Sequence, residues 1–206
     1  MKNKEIVKKS DKASVGMPLK YLKEAVQNLV QEDGSLKPFL FVDNESGNYI
    51  MTEFDGNGDE MHLGISLYSV GAMYKEKKAE IIDAVFVTDS FFITYQDSSG
   101  SINDKKYCTR SRMPLEYFPD SKEAIIISRW NSKNNQNVTL ISYSRKNNKI
   151  IFNKHIDMSQ DASDNILKYF WNGYAHGIEG ANEFASNLAE EFGKDIISEN
   201  KYKKGN

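Results

Sequence analysis

The run Ile81-Ile82-Asp83-Ala84-Val85-Phe86-Val87-Thr88-Asp89-Ser90-Phe91-Phe92-Ile93-Thr94-Tyr95 is the most β-like in the chain. Its apolar residues, Val85-Phe86-Val87 and Phe91-Phe92-Ile93, fall at both parities. Successive side chains of a strand point to opposite faces, so a strand of this kind is buried on both. It belongs in the middle of a sheet.

Upstream of that strand, helical spacing begins near Pro18, a residue suited to a first turn because its missing N–H has no partner there. Leu22, Val26, Leu29 and Val30 fall on one helical face, and Asp33-Gly34 ends the pattern. Residues 38–54 read as a hairpin about Asn44-Glu45-Ser46-Gly47. From Met61 to Tyr74 the apolar residues fit both periods: Met61, Leu63, Ile65 and Leu67 alternate, while Leu63, Leu67, Val70 and Tyr74 are helical. Length and the trailing Lys75-Glu76-Lys77-Lys78 favour a helix.

Downstream, residues 96–121 form a long polar connection with Pro114 and Pro119, of a length that is often functional or disordered. Ala124–Trp130 is another strand. Val138–Arg145 and Ile150–Ile156 form a hairpin about Asn147-Asn148. A two-residue turn there pairs Arg145 with Ile150 and Tyr143 with Phe152, which puts Thr139, Ile141, Tyr143, Ile150, Phe152 and Ile156 on one face. Ser142, Asn153 and His155 take the other. Two C-terminal helices follow, one with a stripe of Ile166, Leu167, Phe170, Trp171, Tyr174 and Ile178, the other with Phe184, Leu188, Phe192 and Ile196. Trp171, on the first stripe, is expected in the core. Gly173 and Gly177, four apart, read as a place where another helix approaches closely. The segregated order predicts an α+β fold: a mostly antiparallel sheet of five to six strands, covered by helices. One domain over 17–198 is expected, with flexible tails at 1–16 and 199–206.

The 206 residues are 39% hydrophobic and 12% aromatic, enough for a core. The single cysteine, Cys108, excludes an internal disulfide and a Cys-rich zinc site, and a reducing compartment follows most simply. The charged N-terminus has no apolar stretch after it, and no apolar run reaches membrane-spanning length. A cytoplasmic protein without membrane contact is expected.

A net charge of −2 conceals strong segregation. Residues 105–154 carry eleven Lys/Arg against three Asp/Glu, whereas residues 32–104 carry four against fourteen. Residues 155–199 carry two against nine. The basic block also holds Tyr107, Trp130, Tyr143 and Phe152. Cations with aromatics are one way to bind single-stranded nucleic acid. Charge runs more often mark solvated faces, and the flanking acids can offset this one. As a candidate site, Arg110, Arg112, Arg129, Arg145, Lys146 and Lys149 form a patch for an anionic protein or nucleic-acid partner.

Other constellations are weaker. Asp55-Gly56-Asn57-Gly58-Asp59 opens like a calcium loop, but Glu60 stands where Gly is needed and Ser66 where a bidentate Glu is needed. His62, His155 and His176 share no ligand spacing, and His176 with Glu179 and Glu183 is a thin metal set. His155 on a polar sheet face is a surface histidine or a general base. Cys108 near Arg110 and Arg112 has cations that lower a thiol pKa, yet no histidine nearby in sequence. Pro119-Asp120 lacks the following Asp/Glu-x-Lys of a metal nuclease. Phosphate-loop, dinucleotide, zinc-protease and nucleophile-elbow motifs are all missing. No metal or cofactor is expected.

Thr88-Asp89-Ser90-Phe91-Phe92, followed after a loop by Pro119-Asp120-Ser121-Lys122-Glu123-Ala124, resembles a group of uncharacterised prokaryotic and phage proteins. The resemblance covers residues 79–130. The group has no assigned activity, so the resemblance implies none, but it draws attention to Asp89, Asp120, Lys122 and Glu123. With no assembled catalytic set in view, the leading expectation is a non-enzymatic binding protein. The alternative is a small hydrolase using acids near Asp89 and Glu123.

Overall fold

A computed structural model of the chain describes residues 19–44, 49–54, 60–92, 122–147, 149–153, 155–158 and 165–190. Helix α1 (Leu19–Asp33) buries Leu22, Val26 and Val30, one residue per turn. Gly34 ends it with φ 80°, and its N–H closes on the Val30 carbonyl at 2.9 Å. A side chain at that φ is strained, which is why glycine stops the helix here. Leu29, expected on the buried face, is 41% exposed. It is one residue off the 22–26–30 stripe, a rotation large enough to turn it outward.

Strands β1 (Phe39–Asn44) and β2 (Tyr49–Glu53) form the first hairpin, antiparallel as expected. Helix α2 spans Glu60–Glu76, which settles the ambiguous segment as helix. Strand β3 (Ile81–Phe92) lies between β1 and β4 (Lys122–Asn131), and β4 pairs with β5 (Gln136–Lys146). Two short strands, β6 (Lys149–Phe152) and β7 (Ile156–Met158), both run antiparallel to β5. Among the described residues the open sheet therefore has seven strands in the order β2-β1-β3-β4-β5-β6, with β7 on β5.

The anticipated hairpin register holds: Arg145 faces Ile150 and Tyr143 faces Phe152. Thr139, Ile141, Tyr143, Ile150 and Phe152 share one face. Ile156 does not join them. It pairs with Leu140 rather than Thr139, so one residue has slipped between β6 and β7. A one-residue slip moves every later side chain to the opposite face. Ile156 is consequently half exposed, and Asp157 takes the place opposite Thr139.

Each face of the sheet has its own core. On one, α1 covers Phe39, Val85, Val87, Ile125, Ile127 and Ile141. On the other, α2 and α3 (Leu167–His176) cover Leu40, Val42, Ala84 and Phe86. A fourth helix, α4 (181–190), adds Phe184 and Leu188. Phe192 and Ile196 lie outside the described residues, as do the residues of the 96–121 connection. The pattern explains why β3 is apolar at both parities. Gly71 and Gly173 sit where α2 crosses α3. A Cβ on either would overlap a carbonyl oxygen of the other helix, that of Phe170 or Tyr68. Gly177 does something different: at φ 68° it ends α3, and Ile178 beyond it is 65% exposed instead of continuing the stripe.

Candidate functional site

Of the acids singled out in the sequence, Asp89 and Glu123 lie together on the α1 side of the sheet. In the register Asp89 opposes Ile125, Phe91 opposes Glu123, and Glu123 opposes Tyr143. Because β3, β4 and β5 alternate in phase, Asp89, Glu123, Tyr143 and Arg145 emerge side by side on one face. The Tyr143 hydroxyl donates to Asp89 Oδ1 at 2.7 Å, and the Leu36 amide donates to Oδ2 at 3.3 Å. Arg145 Nε lies 2.9 and 3.1 Å from the two carboxylate oxygens of Glu123. Its Nη2 donates to the Gly34 carbonyl at 2.7 Å and to the Tyr143 hydroxyl at 3.3 Å. The guanidinium also lies 5.4 Å from the Tyr143 ring centre.

Burial raises the Asp89 pKa, opposed by the hydrogen bonds from Tyr143 and Leu36. Tyr143, buried and donating to a carboxylate, has its hydroxyl pKa raised as well. Arg145 is held more firmly in its charged form by Glu123. The four side chains satisfy one another and tie the turn after α1 to three strands. Tyr143 was not singled out as a site residue. Its alternation marked it as core, and only the β3–β4–β5 register puts its hydroxyl beside Asp89.

The six cations of the expected patch separate. Arg145, Lys146 and Lys149 stand together at the end of the β5–β6 hairpin, where Lys146 and Lys149 are cross-strand partners and both are exposed. Among the described residues neither lysine forms an ion pair. Arg129 pairs with Asn137, eight residues along β5 from Arg145, or about 26 Å at strand rise. It donates to Asp83 through Nε at 2.8 Å and lies 2.7 Å away through Nη2. Asp83 is 1% exposed, and burial raises its pKa in spite of that cation. Arg110 and Arg112 lie outside the described residues, as do Cys108, Asp120 and the Asp55–Asp59 turn.

Comparisons with protein-family models, with curated proteins and with solved structures return no match.

The remaining candidates are dispersed. His155 is exposed, its Nε2 3.9 Å from Asp157 Oδ2. Asp157 has its pKa lowered by the Thr139 hydroxyl, then by Lys23 and His155. His176, Glu179 and Glu183 are exposed. Among the described residues no three His, Cys, Asp or Glu gather to hold a metal ion, and no helix is long and apolar enough to cross a membrane. One open groove of about 460 Å³ lies at the other end of the sheet, lined in part by Trp130, Trp171 and Tyr174. Trp171 was expected in the core. It is only partly buried and donates its indole N–H to the Trp130 carbonyl at 3.2 Å.

Proposed function

We propose that the chain is a non-enzymatic, cytoplasmic binding protein that engages an anionic partner through the end of the β5–β6 hairpin. The observation that carries this reading is the pair Lys146 and Lys149. They face each other across a tight turn, solvent-exposed, beside Arg145. Two exposed cations with no ion pair among the described residues raise the local concentration of anions and steer their approach. Arg145 is already fixed by Glu123 and Gly34, so it contributes field and rigidity more than a new contact. The single thiol, which can form no internal disulfide, supports a reducing compartment.

The test is binding to a single-stranded oligonucleotide and, separately, to polyglutamate, each at low and physiological salt. We expect one of them to bind with steep salt dependence, about −0.7 in log–log slope per phosphate for a single strand. Lys146→Glu with Lys149→Glu should abolish it. Binding by neither polyanion, or binding unchanged in the double variant, contradicts the reading.

One observation favours a second reading, a hydrolase using the acids around Asp89 and Glu123. The Asp89 carboxyl has a raised pKa and a hydrogen-bonded tyrosine beside it, as acid–base groups do. Turnover of ester or phosphoester probes that vanishes in Asp89→Asn would support it. Absent turnover would remove it.

A further inference from the structure

A third lysine shares the face on which Lys146 and Lys149 stand. In the β4–β5 register Ala124 faces Ser142 and Glu123 faces Tyr143, which brings Lys122 level with Ser144. Side chains alternate along a strand, so Lys122, Ser144, Lys146 and Lys149 emerge together on one face of the sheet. It is the face opposite the one that carries Glu123, Tyr143 and Arg145. One row inward on it, Asn153 Nδ2 donates to Ser142 Oγ at 3.3 Å. Lys122, Ser144, Lys146 and Lys149 are all exposed.

Nothing acidic stands beside them. The positions of β4, β5 and β6 that share this face hold no Asp or Glu. Like charges directly opposite each other on a sheet are destabilising, and Lys146 and Lys149 are such a pair. Lys122 adds a third charge on the diagonal from Lys146, about 7–8 Å away. Among the described residues none of the three forms an ion pair. The arginines are treated otherwise: Arg129 and Arg145, the two among the described residues, are held by Asp83 and Glu123. The fold thus carries a repulsion among three lysines that a bound anion relieves.

We propose that Lys122, Lys146 and Lys149 bind the phosphodiester backbone of a nucleic-acid strand, with the Ser144 hydroxyl as a further donor. Resting on the anion-binding role proposed above, this site adds Lys122 to it and narrows the partner to a nucleic acid. Two features select the phosphate. A carboxylate is met best by the guanidinium fork, which this face lacks, whereas an ammonium group serves phosphate as a point charge. The row from Lys149 through Lys146 to Lys122 also extends about 12 Å, wider than a single phosphate group, so it meets successive phosphates of a chain. The β5–β6 hairpin has no aromatic side chain on this face to stack on a base. Contacts to the backbone alone carry no sequence information.

The experiment titrates the full chain into labelled single-stranded oligonucleotides of two unrelated sequences over a range of salt, with polyglutamate as a second arm. The expected result is equal binding of both sequences with a log–log salt slope of about −2, from about −0.7 for each of three phosphates. Lys122→Gln should reduce that slope to about −1.4 for both sequences. Lys133→Gln removes the same charge from the turn after β4, about 30 Å along that strand from Lys122, and should leave the slope unchanged. A slope unmoved by Lys122→Gln, or moved as much by Lys133→Gln, overturns this site while the broader anion-binding role stands. So does a strong preference for one sequence, or polyglutamate bound through Lys146 and Lys149 when neither oligonucleotide binds. Binding of no polyanion overturns both.

Discussion

Asp83 stands on the most apolar strand of the sheet, almost wholly buried and held by Arg129 on one oxygen only. Its Oδ1 has no hydrogen-bond partner. Removing the cation strands a buried charge, whereas replacing both partners by apolar residues removes the desolvation cost as well. Arg129→Met should destabilise the protein by about 3–5 kcal/mol in urea, and Asp83→Leu with Arg129→Met by much less. Equal losses in the single and double variants would contradict a buried charge left stranded at Asp83. Asp89 allows a pH test. Its raised pKa means that the folded chain binds this proton more tightly than the unfolded chain. The group therefore destabilises nothing below its unfolded pKa of about 3.9, and stability falls as pH rises from there through the folded pKa. In Asp89→Asn that fall is absent, so stability measured by denaturant should decline less over the weakly acidic range than in the parent. Superimposable pH profiles would contradict a desolvated Asp89. Neither contact was legible in the sequence. Asp83, Asp89 and Arg129 could be seen as charges on apolar strands, but which cation or hydroxyl meets which acid depends on the β3–β4–β5 register, which no local signal encodes.

Among the elements, those with a strong local signal were read correctly. The Asn147-Asn148 turn fixed the β5–β6 register, and apolar residues at both parities fixed β3 as central. The break between β6 and β7 carried no such signal. Nothing in Asn153, Lys154 or His155 marks an inserted residue, so Ile156 was assigned to the wrong face. Glycines divided in the same way. Gly173 was legible as a packing residue, but its partner Gly71 and the termination role of Gly177 required the crossing of α2 over α3. That crossing predicts a sharp asymmetry. Gly173→Ala must push α2 away from α3 and should cost about 3 kcal/mol, the upper range for overpacking. Ala175→Gly, on the exposed side of the same helix, should cost about 1 kcal/mol from helix propensity alone. Equal effects on the urea midpoint would mean that the backbones are not in contact.

At the scale of the molecule, segregated charge along the chain became a separation in space, though not the one expected. Four described members of the basic patch divide into a hairpin cluster and a distant Arg129 bound to Asp83. Sequence proximity grouped them, and the length of β5 separates them. Asp89 and Glu123, by contrast, do lie together, but with Tyr143 and Arg145 they form a mutually satisfied clamp on the turn after α1. The proposed binding role rests on that balance: lysines at the hairpin end with no ion pair among the described residues, and acids beside it that already have partners. The most direct measurement of this claim is a two-dimensional amide spectrum of the chain titrated with a single-stranded oligonucleotide and, separately, with polyglutamate. The account predicts that one of them shifts resonances across residues 144–151 and that added salt reverses the shifts, while Asp89 and Glu123 stay in place. Shifts centred on Asp89 and Glu123, or none near Lys146 and Lys149 with either polyanion, would contradict it.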